Sequence, residues 1–372
     1  MTNSLQPVTG PRKAYGDQND VFARAFAILR DGVDQHAFPG ATVAVTRGNE
    51  LVAFKAFGRF TYDPASPLVL AETAWDLASV TKIVATTAMA MILHERAELD
   101  LEMPLAAIVP EFERDADDPR RSAITLRMLL AHSSGLPSYY RMYEYCTTRE
   151  ELLAACYGCQ LIADPGAHAE YSDIGFILLG AALERIADER LDEFCRREVF
   201  GPLGMADTFF HPPCDWSDRI PPTEDDTRFR SRVIQGEVND ENACVLGGAA
   251  GHAGVFSTAI DIARYGCSMI NGGAPILRAE TVELFTRRES SPAGTSHALG
   301  WDTPSQPSQS GKHFSRRSFG HLGFTGTSLW CDPERQVSIT LLTNRTWPDR
   351  MSQKIKELRP TFHDAVMEAL LK

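Results

Sequence analysis

Trp75-Asp76-Leu77-Ala78-Ser79-Val80-Thr81-Lys82 sets a hydroxyl and an amine three residues apart, at the head of the uncharged run Ile83 to Leu93. That run is rich in Ala, Met, Ile and Leu and holds no Gly or Pro, so it predicts a buried helix. Positions i and i+3 of a helix share a face one turn apart, which brings Ser79 and Lys82 together. A serine hydroxyl is a poor nucleophile at neutral pH and needs a base beside it. A lysine serves as that base when burial and neighbours lower its pKa. The helix start adds backbone N–H groups and the positive end of the dipole, which favour a developing oxyanion. The bland alternative for S-x-x-K is a serine near a helix start followed by a surface lysine. The long uncharged run after Lys82 favours the buried reading.

Outward from this stretch, Val21 to Gln35 carries apolar residues at helical spacing, and Phe38-Pro39-Gly40 ends it. Ala41 to Thr46 and Leu51 to Phe57 are β-prone runs joined through Gly48-Asn49, a hairpin signal. Further on, helices are expected at Thr125 to His132, with Thr125 as cap and His132 structural, and at Glu150 to Cys156. Others are expected at Ile174 to Ile186, with Asp173 at or near the N-cap, Phe194 to Phe200, and Thr258 to Ile270. Residues 206–246 are polar, Pro-rich and irregular, the pattern of a long loop that wraps over a site. Gly247 to Gly254 holds a glycine cluster around His252, which marks close backbone approach. Phe319 to Trp330 and Gln336 to Thr343 read as two strands joined by a turn. Asp349 to Leu371 reads as a helix broken at Pro360. Strands near both ends and helices between them predict one antiparallel sheet with a helical insertion. We expect residues 1–18 as a loose arm, 19–88 and 247–372 as an α/β domain, and 89–246 as a helical domain.

The 372 residues are 44% hydrophobic and 23% charged, which suits a globular protein with a sizeable core. A formal net charge of −12 argues against a nucleic-acid or anionic-membrane partner. No stretch is apolar enough to span a bilayer, and the first twenty residues show no apolar secretory segment. A cytoplasmic location with reduced cysteines is therefore expected. Of eight cysteines, Cys156 and Cys159 form a C-x-x-C pair with no second ligand pair, so a zinc site is not expected. Asp115-Ala116-Asp117-Asp118 meets Pro119 and has Leu126 at position twelve, which rules out an EF-hand loop.

Ser79-Val80-Thr81-Lys82, Tyr171-Ser172-Asp173 and His321-Leu322-Gly323 occur in the order and spacing of three motifs. In these the chain resembles the serine β-lactamase and penicillin-binding-protein superfamily. The second motif has the tyrosine form of class C β-lactamases, related esterases and D-aminopeptidases. Leu130 to Leu136, Ala253 to Thr258 and Gly323 to Thr327 also resemble this family, so the likeness runs over roughly residues 20–370. It implies a β-lactamase/transpeptidase-like α/β fold, an antiparallel sheet flanked by helices with a mostly helical inserted domain.

By position, the resemblance implies that Ser79 is the acylated nucleophile. Lys82, Tyr171 or both are the base and proton donor, the Tyr171 pKa falling beside Lys82. The backbone N–H groups of Ser79 and Phe324 form the oxyanion hole. Asp173 is placed near Lys82. With His321, Gly323 and His252 it belongs to the substrate-binding set, although for His252 and Asn239-Asp240-Glu241 a structural role is the stronger expectation. Two departures stand out. His321-Leu322-Gly323 replaces K-T-G and removes a cation and a hydroxyl that hold a β-lactam carboxylate. Asp173 replaces Asn, losing an amide donor and placing a carboxylate beside Lys82. Both weaken efficient β-lactam hydrolysis and leave acyl transfer on Ser79 intact. The expected protein is a cofactor-free serine hydrolase of small carboxylic esters. The alternatives are a class-C-like β-lactamase and a D-amino-acid amidase or peptidase, with an ester, amide or lactam as small-molecule partner. A non-catalytic binding or scaffold protein on the same fold would show a lost nucleophile or base, and Ser79, Lys82 and Tyr171 are all present.

Overall fold

The predicted hairpin at Gly48-Asn49 forms the second and third strands of a six-stranded sheet in a computed structural model that describes residues 10–114 and 117–371. Residues 1–9 of the arm lie outside the described residues, as do Asp115 and Ala116 of the acidic run. The strands are β1 (Arg12–Lys13), β2 (Gly40–Arg47), β3 (Glu50–Gly58), β4 (Ala74–Asp76), β5 (Glu224–Asp226), β6 (Arg232–Ile234), β7 (Phe256–Thr258), β8 (Phe319–Leu322), β9 (Ser328–Asp332) and β10 (Val337–Thr343). The main sheet runs β1-β3-β2-β10-β9-β8, and the two ends of the chain meet where β10 lies antiparallel to β2. Only β1 is parallel to its neighbour. Two ribbons, β4 with β7 and β5 with β6, complete the strands.

Strand β2 is buried on both faces because helices cover both sides of the sheet. Val43 and Val45 point one way, into a core with Phe26 and Leu29 of the Ala23–Asp34 helix and Phe362 and Val366 of the Ile355–Leu370 helix. Ala44, between them, faces the larger core, with Ile262 and Tyr265 of the Ala259–Ile270 helix. That larger core continues into the helical middle of the chain. There Thr125 caps Leu126–Leu130, Thr148 forms a capping box on Arg149–Tyr157, and Ser172 caps Asp173–Ala187.

Four readings need correction. The arm is tied down at Arg12 and Lys13, which pair with Glu50 and Leu51 as an edge strand. The strand read from Phe319 to Trp330 is two strands joined by a tight turn, Gly323 to Thr327. Gly326 adopts a φ of 99° there, and a Cβ on Gly323 would lie 1.9 Å from the Thr327 hydroxyl. The C-terminal helix begins at Ile355 and continues through Pro360. The Lys356 carbonyl, which loses its helical donor at Pro360, accepts from Gln309 Nε2 at 3.0 Å. Asp173 lies next to the N-cap, as read, and Ser172 is the cap itself, which leaves the Asp173 carboxylate free for other work. Finally, the Ser79 segment is helical but not α-helical throughout. A 3-10 turn at Ala78–Val80 leads into a wider π-wound segment, Lys82–Thr87, before the α-helix Ala88–Glu95.

The Ser79 helix is clamped from two sides. The glycine cluster supplies one: Gly251 O accepts from Thr86 Oγ1 at 2.6 Å, and Val255 exchanges backbone bonds with Leu77 N and Thr81 Oγ1. The β8–β9 turn supplies the other, with Thr325 Oγ1 on Asp76 O at 2.7 Å and Thr327 Oγ1 on Leu77 O at 2.8 Å. Gly251 also packs directly on the Asp173–Ala187 helix. A Cβ there would sit 2.1 Å from the Phe176 carbonyl oxygen. Gly251→Ala is therefore expected to lower unfolding free energy by about 1–3 kcal/mol, the range for overpacking a close contact. Chemical denaturation checks this, and an unmoved midpoint would contradict the close packing.

Candidate active site

Ser79 lies on a sharp bend: Ala78 before it has a left-handed φ of 46°, held by a bond from its N–H to Asp76 Oδ1 at 2.8 Å. The bend turns the Ser79 hydroxyl into a cavity of about 710 Å³ that Tyr171, Asp173, His321 and Phe324 also line. Tyr171 donates its phenol hydrogen to Ser79 Oγ at 2.7 Å. Lys82, the predicted neighbour, reaches the same oxygen at 3.0 Å. Its Nζ also meets Asp173 Oδ1 at 2.6 Å and the His252 carbonyl at 3.0 Å, and its side chain is wholly buried. The i,i+3 geometry read from the sequence thus holds on a helix of changed pitch.

Burial lowers the Lys82 pKa, while the Asp173 carboxylate, and Asp240 behind it, pull the other way. The fall expected for Tyr171 does not occur. Burial first and the Asp173 carboxylate second push the phenol well above its usual value. The net positive charge that would favour a phenolate is already neutralised across the Lys82–Asp173 pair. Tyr171 is thus a neutral hydrogen-bond donor in the resting site.

The amides of Ser79 and Phe324 both belong to cavity-lining residues, and neither donates to a protein acceptor among the described residues. His321 Nδ1 bonds the Leu322 carbonyl at 2.8 Å, so the hydrogen sits on Nδ1 and Nε2 is an acceptor. Burial, then the nearby Lys82, depress His321 to about 3, leaving a neutral imidazole where the resembling family carries a cation. Gly323 has no room for a side chain. Its Cβ would strike Thr327 Oγ1 and, at 2.4 Å, the Leu77 carbonyl. The His252 ring is held by Asp240 Oδ1 at 2.8 Å, and its contribution to Lys82 is a backbone carbonyl. Asn239, Asp240 and Glu241 line the cavity and are structural at once. Asn239 N caps the buried Asp76 carboxylate at 2.6 Å, Asp240 holds His252, and Glu241 pairs with Arg350. His132 takes the Ser172 N–H on Nδ1 at 3.0 Å and packs its ring on Tyr171, a positioning role.

Sequence reasoning missed the basic wall of this cavity, formed by Arg345, Arg350 and Arg359. Arg359 had a signal. With Ile355, Phe362 and Val366 it falls on the i, i+4, i+7, i+11 face of its helix, a cation in an apolar stripe. Arg345 follows β10 directly and carries no such mark. No group of ligating side chains able to hold a metal ion occurs among the described residues, and no described helix is long and apolar enough to cross a membrane. The sulfurs of the C-x-x-C pair turn away from one another's chemistry: Cys156 contacts Met142 Sδ and Cys159 the Ala155 carbonyl.

Residues 25–359 match the family model described as Beta-lactamase. The chain is 31% identical over 345 residues to a Bacillus subtilis (strain 168) protein named N-acetylmuramyl-L-alanine amidase, covering 83% of this chain and 77% of that one. It is 30% identical over 343 residues to an Escherichia coli (strain K12) protein named putative D-alanyl-D-alanine carboxypeptidase, covering 83% and 79%. Among solved structures, EstCE1, described as a hydrolase with promiscuous acyltransferase activity, aligns with a TM-score of 0.77 at 23% identity. That alignment covers 94% of this chain and 99% of EstCE1, and at this identity it shows a shared fold.

The buried neutral His321 makes a prediction about stability. Its folded pKa of about 3 lies below the unfolded reference near 6.5, so the unfolded chain binds a proton first as the pH falls. The stability tied to the neutral ring is present above about 6.5 and is lost as the pH drops towards 3. Unfolding free energies of wild type and His321→Gln, measured across that window, should shift in the variant's favour as the pH falls. A constant difference would show that the ring is not held neutral.

Proposed function

The chain belongs to the beta-lactamase family and is a serine hydrolase, and from that premise we propose that it cleaves a small carboxylic ester through an acyl-enzyme on Ser79. The observation that carries this reading is the placement of Ser79 Oγ between Tyr171 OH at 2.7 Å and Lys82 Nζ at 3.0 Å. Lys82 is the base. In a buried site a neutral amine beside a neutral phenol costs less than an ammonium beside a phenolate, and Asp173 opposes the phenolate further.

Lys82 takes the Ser79 proton as Oγ adds to the carbonyl carbon, and the oxyanion is received by the Ser79 and Phe324 amides. Tyr171 passes its proton to the leaving oxygen, and the Lys82 proton returns to Tyr171 and resets the pair. Water then repeats the sequence on the acyl-enzyme: Lys82 accepts its proton, Tyr171 protonates the departing Oγ, and the acid is released. A phenol held this weakly acidic gives little general-acid assistance, which favours esters whose alcohols or phenols leave without needing a proton in the transition state. The neutral His321 and the apolar Leu322 give a β-lactam carboxylate no clamp at that position. Amide cleavage is the second reading, supported by the names of the two relatives at 30% identity or more.

Ser79→Ala is expected to abolish covalent labelling by a fluorophosphonate, with mass spectrometry placing the wild-type adduct on Ser79. An adduct elsewhere would overturn the assignment. Tyr171→Phe keeps the ring packing and should lower kcat about 10² to 10⁴-fold, the usual contribution of a general acid–base group. An unchanged kcat would remove Tyr171 from the mechanism. Across p-nitrophenyl butyrate, a D-alanyl amide and nitrocefin, kcat/KM should be highest for the ester. A higher value for the amide or the lactam would replace the ester reading while leaving the serine hydrolase intact.

A further inference from the structure

Two arginines on the cavity wall form no ion pair among the described residues, although the Glu224 charge acts on Arg345 from a distance. Arg359 is 3% exposed and Arg345 6% exposed. Their neighbour Arg350 differs, being bound by Glu224 and Glu241. Arg359 has only two long contacts, Gln309 Oε1 at 3.4 Å and the Thr327 carbonyl at 3.5 Å, and its buried Nε has no partner. Arg345 gives Nε to the Phe324 carbonyl at 2.6 Å and Nη1 to the Arg350 and Ser352 carbonyls, which leaves Nη2 free. Its guanidinium lies over the Phe324 ring, 4.3 Å from the centroid.

A buried cation without a counter-ion costs several kcal/mol, a cost that a bound anion would offset. Here two are side by side, and the charges of both are disfavoured, first by burial and then by a neighbouring arginine. The whole chain carries a formal −12, so an accumulation of positive charge at this wall runs against its composition. Arg345 holds the β8–β9 turn at the Phe324 carbonyl and Arg359 reaches it at the Thr327 carbonyl, and the Phe324 amide of that turn is the one proposed for the oxyanion hole.

We propose that Arg345 and Arg359 form an anion subsite, and that the preferred substrate carries a carboxylate close to the scissile bond. This deepens the ester-hydrolase reading and rests on it for the catalytic arm of the test. The cation lost at His321-Leu322 is thereby replaced from the other side of the turn, by the end of β10 and the first turns of the C-terminal helix. A planar guanidinium meets a carboxylate through two parallel N–H bonds, which fixes orientation as well as charge. A flexible acyl or alcohol chain can bring its carboxylate to this wall.

Two matched substrate pairs separate the possible sources of the carboxylate. p-Nitrophenyl hemiglutarate against p-nitrophenyl butyrate places it on the acyl side, and 3-acetoxybenzoate against phenyl acetate places it on the leaving side. The wild type should favour the anionic member of at least one pair by tenfold or more in kcat/KM. Arg345→Gln and Arg359→Gln should each cut that ratio at least tenfold, and a ratio within one preparation cancels any loss of folded enzyme. A binding arm stands apart from catalysis: glutarate alone should raise the wild-type Tm, with a smaller rise in either variant. Without glutarate, Arg359→Met should hold or raise the Tm, since it removes an uncompensated charge, whereas a structural arginine would lower it. The subsite is overturned if neither pair shows a preference, if the preference survives both substitutions, or if glutarate shifts all three proteins alike. Failure of Ser79 labelling with the glutarate shift intact would remove the hydrolase reading and keep the anion site.

Discussion

A lysine ammonium with no access to water is the constraint on which the centre of this molecule depends. Lys82 sits at 0% side-chain exposure, and it is tolerated because three acceptors converge on Nζ: a carboxylate, a hydroxyl and a backbone carbonyl. Each acceptor comes from a different part of the chain, so keeping the charge satisfied fixes three segments relative to one another. Ser79 arrives one turn earlier on the same helix, Asp173 at the first position of the long middle helix, and His252 from the glycine-rich loop. The Ser79 hydroxyl is thus held by the requirement that solvates the buried charge, and the glycine at position 251 is needed because the loop must come close enough to deliver its neighbour's carbonyl.

The second organising group is Asp76. Its carboxylate accepts the N–H groups of Ala78 and Asn239, and its carbonyl accepts the Thr325 hydroxyl. One residue therefore ties the bend before Ser79 to the irregular segment on one side of the cavity and to the β8–β9 turn on the other. Burial raises its pKa to about 6 even against those two N–H donors. An ionisable group in such a position shows how much local geometry is held by few bonds near the reacting hydroxyl.

How far the sequence could be read follows the range of each interaction. Ser79 with Lys82 was legible because both lie within one helical turn. Tyr171 with Asp173 was legible as a short motif before an apolar helix. The sheet was legible from alternating β-prone runs at both ends of the chain. Other features depend on distant partners and leave no local mark. The His252 carbonyl on Lys82 is a backbone group and has no residue signature. The turn at Gly323 to Thr327 sits inside a continuous β-prone run, and only the packing of Thr327 on Leu77 and of Gly326 on Thr343 reveals it. The direction of the Tyr171 shift was misread because the Lys82 charge was weighed without burial and without the carboxylate that offsets it. Pro360 was overread as a break, since a side-chain amide from a distant loop takes the orphaned carbonyl.

The pairing of β10 with β2 also sets the order in which this molecule can come into being. The two strands lie nearly three hundred residues apart in the chain, and closing so large a loop makes the sheet a late event in folding. During synthesis, β2 and β3 emerge as a hairpin whose partner edge waits for a segment made much later. The amide at Phe324 and the arginines behind it join Ser79 only at that step. Under the proposed mechanism, the nucleophile Ser79 is therefore made long before the amide proposed to stabilise its oxyanion can join it.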